Sequence, residues 1–404
     1  SYLGGASFVV FGNAAGFGAT LSLDALNGAN GVRFDGVDHY DASGSTIGAA
    51  GDFNGDGIDD LLIGAPDANT LDTPGKGAVY VVFGERGGFA SAAVDLETLD
   101  GSTGLRIVGA RDDGQLGKAF AGVGDVNGDG FDDLLITDSN STSPARGSAY
   151  LLFGASSGFG ATVALGDLPD GAVLRFDGRP GSPAGYAVSG IGDLDGDGFD
   201  DFLIGEPSST SAAQRAHVVF GRDFDGGALR GSAAGETVQG TAGSDRLVAG
   251  GGADLVDGGA GSDVLKGGAG DDVLVYDAAD RRVEGDAGLD TLRLDASGVV
   301  LDLTLATGPR LDGIERIDLG GGGNTLVLTA LDVLNLADGA DAWLDLGTRQ
   351  LLVTGAAGDT VQSLGQGWVR GADQVVGGES YASFTTHGST AQLLIDLDLT
   401  RQVA

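Results

Sequence analysis

The chain has 404 residues, including 58 acidic and 22 basic residues, with a formal net charge of −36 and no cysteine or methionine. This charge balance argues against nucleic acid or anionic membranes as partners. The lack of cysteine excludes disulfide bonds, thiolate metal sites and cysteine nucleophiles. No segment approaches the roughly 18 apolar residues of a membrane span, so we expect no membrane insertion. The 77 glycines and 42% hydrophobic residues suit a glycine-rich globular protein whose acids are partly neutralised by cations.

A long repeat occupies the first part of the chain. The strings FVVFG, YVVFG, YLLFG and HVVFG recur at steps of 72, 70 and 67 residues and end at Gly12, Gly84, Gly154 and Gly221. Each unit contains about four short β-type runs separated by glycine-rich turns, the pattern of a four-stranded propeller blade. Runs such as Leu61 to Ile63 lack polar alternation, which predicts strands buried on both faces. The sequence therefore predicts an all-β fold.

Three acidic loops lie within these repeats and share one spacing. Each places aspartate or asparagine at positions 1, 3, 5 and 9, glycine at position 6, and a main-chain carbonyl at position 7. Alternate oxygen ligands around one centre are what a hard cation such as Ca²⁺ requires. The candidate ligands are Asp52, Asn54, Asp56, Ile58 and Asp60; Asp125, Asn127, Asp129, Phe131 and Asp133; and Asp193, Asp195, Asp197, Phe199 and Asp201.

Two other interpretations of these loops were weighed. An EF-hand needs glutamate at position 12 and flanking helices, but that position holds Ile63, Ile136 or Ile204 in strand-like runs, so an EF-hand is rejected. A solvated acidic turn would use the same residue types. Three copies with identical ligand spacing, each beside a buried strand, favour calcium, with about three ions in these loops.

The same residues resemble the FG-GAP repeats of integrin alpha-chain propellers and their bacterial relatives. The resemblance rests on Phe83-Gly84, on Gly64-Ala65-Pro66 and on the DxNxDGxxD loop between them, and it covers residues 1–225. It implies partial β-propeller blades, about three and a half in number. Because the FG strand occurs four times and the acidic loop three times, we expect Ser1 to fall inside a blade. Propellers of this family have seven blades, so we expect the array to be longer than this chain.

A second, shorter repeat begins at Gly240, where the chain reads in nines. Aspartate occupies the sixth place as Asp245, Asp254, Asp263, Asp272 and Asp290, and an apolar residue occupies the eighth as Leu247, Val256, Leu265, Leu274, Val283 and Leu292. Six turn residues followed by a three-residue strand make half a coil of a parallel β-roll. A flexible glycine-rich linker would have no reason to hold aspartate and leucine in this phase.

Two nonapeptides make one coil, so repeats n and n+2 share a side. We therefore expect Asp245 to pair with Asp263 and Asp254 with Asp272, with about two or three Ca²⁺ ions in the roll. Arg281 stands where an aspartate is due, which predicts an interruption. The pattern resembles the RTX repeats of proteins exported by bacterial type I secretion. We assign the β-roll to residues 231–295.

Residues 296–404 are expected to form a β-rich domain with a short helix around Leu331 to Leu336. They resemble the C-terminal target domain of large RTX adhesins and related type I secreted proteins. The last segment, AQLLIDLDLTRQVA, can be a strand when folded and a signal before export. The resemblance implies the type I secretion machinery as a partner, and a secreted or cell-surface location in a Gram-negative bacterium.

Catalytic motifs are not evident in the sequence. There is no G-x-S-x-G elbow, H-E-x-x-H or Walker loop. We expect a packing role for His217, which replaces the tyrosine of its sister strands, and a surface position for His387; His39 has acidic neighbours. We assign no catalytic residue and predict that the chain is not an enzyme.

Two functional classes stay open. The favoured one is a calcium-stabilised extracellular module that folds on Ca²⁺ binding after export. Its propeller would serve adhesion or bind carbohydrate or a cell-surface protein. The alternative is the export and binding portion of a secreted hydrolase or polysaccharide lyase whose catalytic domain lies upstream. The sequence upstream of Ser1 would separate these classes.

Overall fold

The structure is a computed structural model of the chain. It describes all residues outside 1–3, 14–15, 69–74, 113, 139–146, 169–171, 180–183, 208–213, 225, 306–309, 338–342, 345–347 and 387–388. The chain divides into two compact units, one formed mainly by residues 1–222 and the other mainly by residues 223–404. Across the described ranges, no helix has the length and apolar character needed to span a membrane.

The described part of the first unit consists of β-strands and two 3-10 helices, Leu23–Ala25 and Leu96–Thr98. Its strands are β1 (Ala6–Val10), β2 (Gly31–Asp35), β3 (Thr46–Gly51), β4 (Asp60–Ala65), β5 (Ala78–Val82), β6 (Ala93–Asp95), β7 (Gly104–Val108), β8 (Phe120–Gly122), β9 (Leu134–Asp138), β10 (Ser148–Leu152), β11 (Thr162–Ala164), β12 (Val173–Asp177), β13 (Val188–Gly192), β14 (Asp201–Glu206) and β15 (Arg215–Val219).

These strands form propeller-type blades. Strands β3-β4-β5-β7 and β8-β9-β10-β12 are four-stranded antiparallel meanders. Strands β13-β14-β15 form a three-stranded sheet, and β1 pairs with β2. The short strands β6 and β11 pair in parallel with β2 and β7 of the preceding blade. The predicted all-β fold with partial blades is confirmed.

Neighbouring blades share one hydrophobic core. Leu62 and Val81 of one blade pack in the same cluster as Leu134 and Ile136 of the next, and all four are fully buried. Every residue of β5 is buried, as expected for an apolar run without alternation. Burial of β4 fixes the end of the acidic loop that joins β3 to β4.

The described part of the second unit contains one α-helix, α1 (Ala330–Leu336), close to the predicted position. Its strands are β16 (Ala228–Arg230), β17 (Thr237–Gln239), β18 (Arg246–Val248), β19 (Leu255–Asp257), β20 (Val264–Ala269), β21 (Val273–Val275), β22 (Arg282–Ala287), β23 (Thr291–Arg293), β24 (Val300–Asp302), β25 (Arg310–Asp312), β26 (Arg316–Asp318), β27 (Thr325–Val327), β28 (Arg349–Thr354), β29 (Thr360–Ser363), β30 (Trp368–Arg370), β31 (Gln374–Val376), β32 (Glu379–Thr386), β33 (Ala391–Asp396) and β34 (Thr400–Val403).

The nonapeptide strands stack in parallel with the expected register. Leu247 lies opposite Leu265, which lies opposite Val283 in the next coil. Val256, Leu274 and Leu292 stack in the same way on the other side. All six predicted apolar residues are fully buried. The predicted parallel β-roll is therefore present, and each of these strands contributes one of the six stacked apolar side chains.

The sheet of the roll continues into the described part of residues 296–404. Strand β23 pairs in parallel with β26, β26 with β28, and β28 with β33. A third parallel sheet, β24-β27-β29-β34, runs alongside. One hydrophobic cluster extends from Val238 to Leu399. The two segments predicted as separate domains, 231–295 and 296–404, thus share a sheet and a core.

Candidate calcium centres

The first acidic loop joins β3 to β4 and is closed by hydrogen bonds to Asp52. Asp52 Oδ1 accepts the N–H of Asp56 at 2.9 Å, and Oδ2 accepts the N–H of Gly57 at 2.8 Å. Gly57, at position 6, has a φ of +82°, a backbone conformation that favours glycine. The N–H of Asp56 also donates to Asn54 Oδ1 at 2.9 Å. The predicted ligands at positions 1, 3 and 5 are therefore held in one turn.

Asp60, at position 9, lies fully buried at the base of the same loop. Its Oδ2 accepts the N–H of Phe53 at 3.1 Å, and its Oδ1 accepts the N–H of Gly84 at 2.9 Å. Burial, with the charges of Asp52 and Asp56 nearby, raises the pKa of Asp60 from 3.8 to about 8. A cation in the loop would hold this carboxylate in its charged form at neutral pH.

The other two loops repeat this construction. Asp133 Oδ1 accepts the N–H of Gly154 at 2.9 Å, and Asp201 Oδ1 accepts the N–H of Gly221 at 2.8 Å. In the third loop, the carboxylates of Asp193, Asp195 and Asp197 lie within 4.8 Å of one another. Such a group of oxygen atoms is compatible with a hard cation.

The predicted loop ligands differ in exposure. The buried ligands are Asp52, Asp60, Asp125, Phe131, Asp133, Phe199 and Asp201. The half-buried ligands are Asn54, Ile58, Asn127, Asp129 and Asp197. The exposed ligands are Asp56, Asp193 and Asp195.

A link between neighbouring loops was missed by the sequence analysis. Asp132, at position 8 of the second loop, accepts the N–H of Asp52 at 2.7 Å through Oδ2 and donates its own N–H to the Asp52 carbonyl at 3.2 Å. Asp200 makes the same two contacts with Asp125, at 2.8 and 3.2 Å. A Cβ atom at Gly51 would overlap the Asp132 carboxylate. The double aspartate at positions 8 and 9 was the available signal.

In the roll, the aspartates at position 6 form two columns. The first column contains Asp254, Asp272 and Asp290, and the second contains Asp245 and Asp263. The N–H of Asp254 donates to Asp272 Oδ1, and the N–H of Asp272 donates to Asp290 Oδ1, both at 2.8 Å. The N–H of Asp245 donates to Asp263 Oδ1 at 2.8 Å. Both predicted pairings are confirmed.

The second carboxylate oxygen of these residues is what suits the columns to calcium. The Oδ2 atoms of Asp254, Asp263, Asp272 and Asp290 are buried and accept no hydrogen bond from the described part of the chain. Burial raises the pKa of Asp263 and Asp272, and it raises that of Asp290 to about 8, with contributions from the charges of Asp272, Glu315 and Asp286. Buried oxygens without a partner are costly. A calcium ion between coils would satisfy them.

The second column stops where Arg281 replaces the next aspartate. The N–H of Arg281 donates to the main-chain carbonyl of Asp263 at 2.8 Å, so the coil itself is continuous. Asp280, one residue earlier, is buried near Asp263. Burial raises the pKa of Asp280 to about 7. The carboxylate column is interrupted as predicted, but the structure adds an acid that the nine-residue phase did not identify.

Two glutamates at the ends of the first column were also missed. The N–H of Glu236 donates to Asp254 Oδ1 at 2.7 Å, and the N–H of Asp290 donates to Glu315 Oε2 at 3.0 Å. Glu236 stands 18 residues before Asp254, so the two-repeat period could have found it. Glu315 stands 25 residues after Asp290, which places it outside any nine-residue phase.

The expected packing role of His217 is wrong. Its side chain is 45% exposed, and its Nε2 lies 3.2 Å from Glu206 Oε2. Arg179 Nε also donates to Glu206, at 3.1 Å to each carboxylate oxygen. Tyr80 and Tyr150, at the same strand position, are buried. In the three-stranded sheet, β15 is exposed along most of its length, so a polar histidine replaces a core tyrosine there.

The other two histidines were predicted to have no catalytic role. His39 is exposed, next to Tyr40. His387 lies outside the described residues. The prediction that the chain is not an enzyme rests on its sequence.

Comparison with known families gives both repeat types an assignment. Residues 43–82, 119–152 and 184–220 match the FG-GAP repeat, and residues 230–265, 239–274 and 253–280 match the RTX calcium-binding nonapeptide repeat. The chain carries FG-GAP and RTX repeats. Each FG-GAP match contains one acidic loop, and the RTX repeats, which bind calcium, contain the columns from Glu236 to Asp272. The first column extends past the RTX match to Asp290 and Glu315.

The FG-GAP part is similar to integrin alpha chains. The chain is 29% identical to integrin alpha-4 of Xenopus laevis over 180 residues, 30% identical to integrin alpha-7 of Mus musculus over 171 residues, and 28% identical to integrin alpha-IIb of Homo sapiens over 169 residues. These alignments cover 43%, 42% and 41% of this chain. The chain spans 16%, 13% and 15% of the length of those integrins.

Proposed function

We propose that this chain is a calcium-stabilised extracellular module of a secreted protein, and that its roll folds when it binds Ca²⁺ outside the cell. The observation that carries the proposal is the set of buried carboxylate oxygens in Asp254, Asp263, Asp272 and Asp290 that lack a hydrogen-bond partner among the described residues. Several such groups in a thin core oppose folding, and bound calcium offsets this cost.

Calcium binding and folding are thermodynamically linked, so the concentration of Ca²⁺ would control folding. The ligands come together only in the folded coils, so the free energy of calcium binding contributes to folding. Extracellular calcium modules bind in the range of about 10⁻⁴–10⁻³ M, above the free calcium of a cytosol. The chain would remain unfolded during synthesis and fold after export. About three ions in the FG-GAP loops and about two or three in the RTX columns would complete the structure.

Export by a type I secretion machinery fits this order of events, because such a route suits a chain that is not yet folded. The RTX repeats and the lack of disulfides favour calcium as the agent that stabilises the exported protein. We extend the proposal to a secreted or cell-surface location in a Gram-negative bacterium. Residues 296–404, which complete the roll, would form the export target region.

For the FG-GAP unit we propose adhesion rather than catalysis. The support is its likeness to integrin alpha chains over about two fifths of this chain. The ligand would be a carbohydrate or a cell-surface protein, recognised by loops on a rigid blade scaffold. Attachment of the fluorescently labelled full chain to cells and glycan arrays should require Ca²⁺ and disappear in EDTA.

The experiment that tests calcium-dependent folding is circular dichroism of the full chain during a Ca²⁺ titration from a calcium-free state. We expect β-structure to appear cooperatively with Ca²⁺ and not with Mg²⁺, which requires a smaller octahedral site. Asp254→Ala and Asp263→Ala should each raise the midpoint. Asp398→Ala is the matched control, since Asp398 is an exposed acid of the same unit. A roll equally folded and stable without calcium would refute the proposal.

A further inference from the structure

We infer that Asp290 and Glu315 form a calcium site beyond the residues that match the RTX repeat, and that this site ends the first carboxylate column. The inference rests on the proposed calcium-dependent folding, and it assigns a ligand role to Glu315. The RTX match stops at residue 280, so neither residue belongs to a matched repeat.

The main chain around Glu315 repeats that of the column aspartates. The N–H of Asp290 donates to Glu315 Oε2 at 3.0 Å, as the N–H of Asp272 donates to Asp290 Oδ1 at 2.8 Å. The N–H of Arg316 donates to the Asp290 carbonyl at 2.9 Å, as the N–H of Thr291 donates to the Asp272 carbonyl at 2.8 Å. Glu315 therefore occupies the place of the position-6 aspartate in the next coil.

Strand register gives the same placement. Asp290 immediately precedes β23 and Glu315 immediately precedes β26, and these strands pair with Thr291 opposite Arg316. In the following coil, Leu352 lies opposite Arg316. The residue before it, Leu351, is a fully buried apolar side chain. The column of acids consequently ends at Glu315.

The arrangement of a carboxylate oxygen and a carbonyl oxygen beside a glycine is repeated from the RTX coil to the coil that contains Asp290. In the RTX coil, a Cβ atom at Gly267 would lie 2.5 Å from Asp272 Oδ2 and 2.8 Å from the Gly285 carbonyl oxygen. One coil later, a Cβ atom at Gly285 would lie 2.7 Å from Asp290 Oδ2 and would overlap the Gly313 carbonyl oxygen. The same pair of oxygens, one carboxylate and one carbonyl, is thus presented beside a glycine in both coils.

The charge and burial of the pair call for a cation. Asp290 is fully buried and Glu315 is 3% exposed. Asp290 Oδ2 is buried and accepts no hydrogen bond from the described residues. Two carboxylates that are neighbours along a buried column repel one another. An all-oxygen set of carboxylates and a carbonyl suits Ca²⁺ rather than a metal that prefers nitrogen or sulfur.

The test uses the full chain, with metal content measured after equilibration in CaCl₂. Glu315→Gln keeps an oxygen that can accept the Asp290 N–H but removes the charge. We expect it to bind one Ca²⁺ fewer per chain than the wild type. Asp398→Asn, which neutralises an exposed acid of the same unit, should bind the wild-type number.

A second measurement locates the ion without altering a ligand. Trp343 Nε1 donates to the Glu315 carbonyl at 3.3 Å, so Tb³⁺ bound beside Glu315 would be sensitised by indole excitation. We expect Trp343→Phe, which retains both carboxylates, to lose most of this Tb³⁺ emission. Wild-type emission that does not depend on Trp343 would overturn the inference, even if Glu315→Gln fails to fold.

The two proposals fail in different ways. If Glu315→Gln binds as many ions as the wild type and has the same folding midpoint, the site at Glu315 is refuted while calcium-dependent folding stands. If the wild type binds no Ca²⁺, the proposed function and this inference both fail.

Discussion

A single side chain per strand supplies the interior of the roll. Leu265 is fully buried between Leu247 and Val283 of the adjacent coils. With about one inward-facing apolar side chain in each nonapeptide, the roll buries little apolar surface for each residue that it orders. Individual leucines in the stack should therefore matter both for stability and for the amount of calcium that folding requires.

Leu265→Ala should lower the free energy of unfolding in Ca²⁺ by about 2–5 kcal/mol, the range for a buried leucine that leaves a cavity. Because calcium binding and folding are linked, the variant should also need more Ca²⁺ to fold. Leu364→Ala is the control, since Leu364 is 61% exposed and its loss should have little effect. Urea denaturation at fixed Ca²⁺ measures the free energy of unfolding of both variants. Equal effects of the two variants would contradict the role of the stack.

Between elements, the loops of neighbouring blades are joined by residues that are not themselves predicted ligands. Asp132 belongs to the second loop but accepts the N–H of Asp52, the first ligand of the preceding loop. Asp132 lies between Phe131 and Asp133, two predicted ligands of its own loop. The order of the second loop is thereby coupled to the position of the first ligand in the preceding blade.

Asp132→Ala should leave the Asp52 N–H without its acceptor, at a cost of about 1–3 kcal/mol for a buried donor. Hydrogen–deuterium exchange should become faster in the first loop and in strands β3 and β4, although the substitution lies in the next blade. Asp59→Ala is the matched control, because Asp59 holds the same loop position but is exposed. Faster exchange confined to the second loop would show that the contact does not couple the blades.

The elements differ in how far the sequence reveals them. The nine-residue period predicted the register of the roll correctly, because residues such as Asp263 and Leu265 recur at a fixed spacing and equivalent residues two repeats apart lie opposite one another in the stacked coils. Glu315 was missed because the longer coil before it breaks the period while its main chain repeats the same hydrogen bonds. Asp132 was missed because its partner is 80 residues away, in another blade. His217 was misjudged because its exposure depends on which strands surround β15.

For the molecule as a whole, we expect the excess of acids to make stability depend on protons as well as calcium. Asp60 and Asp290 have pKa values raised from 3.8 to about 8, chiefly by burial. A carboxyl with a raised folded-state pKa favours folding when it is protonated. Without calcium, its contribution is complete below the unfolded pKa of 3.8 and is lost as the pH rises through about 8.

The calcium-free chain should therefore become more stable as the pH falls from 8 to about 5. The calcium-loaded chain should show the reverse trend, because protons compete with Ca²⁺ for the same carboxylates. The difference in melting temperature between the two forms should narrow steadily across this range. Thermal melts of the full chain by circular dichroism, with and without CaCl₂ at each pH, measure this difference. A gap that stayed constant or widened on acidification would mean that the buried carboxylates are not the groups through which calcium stabilises the fold.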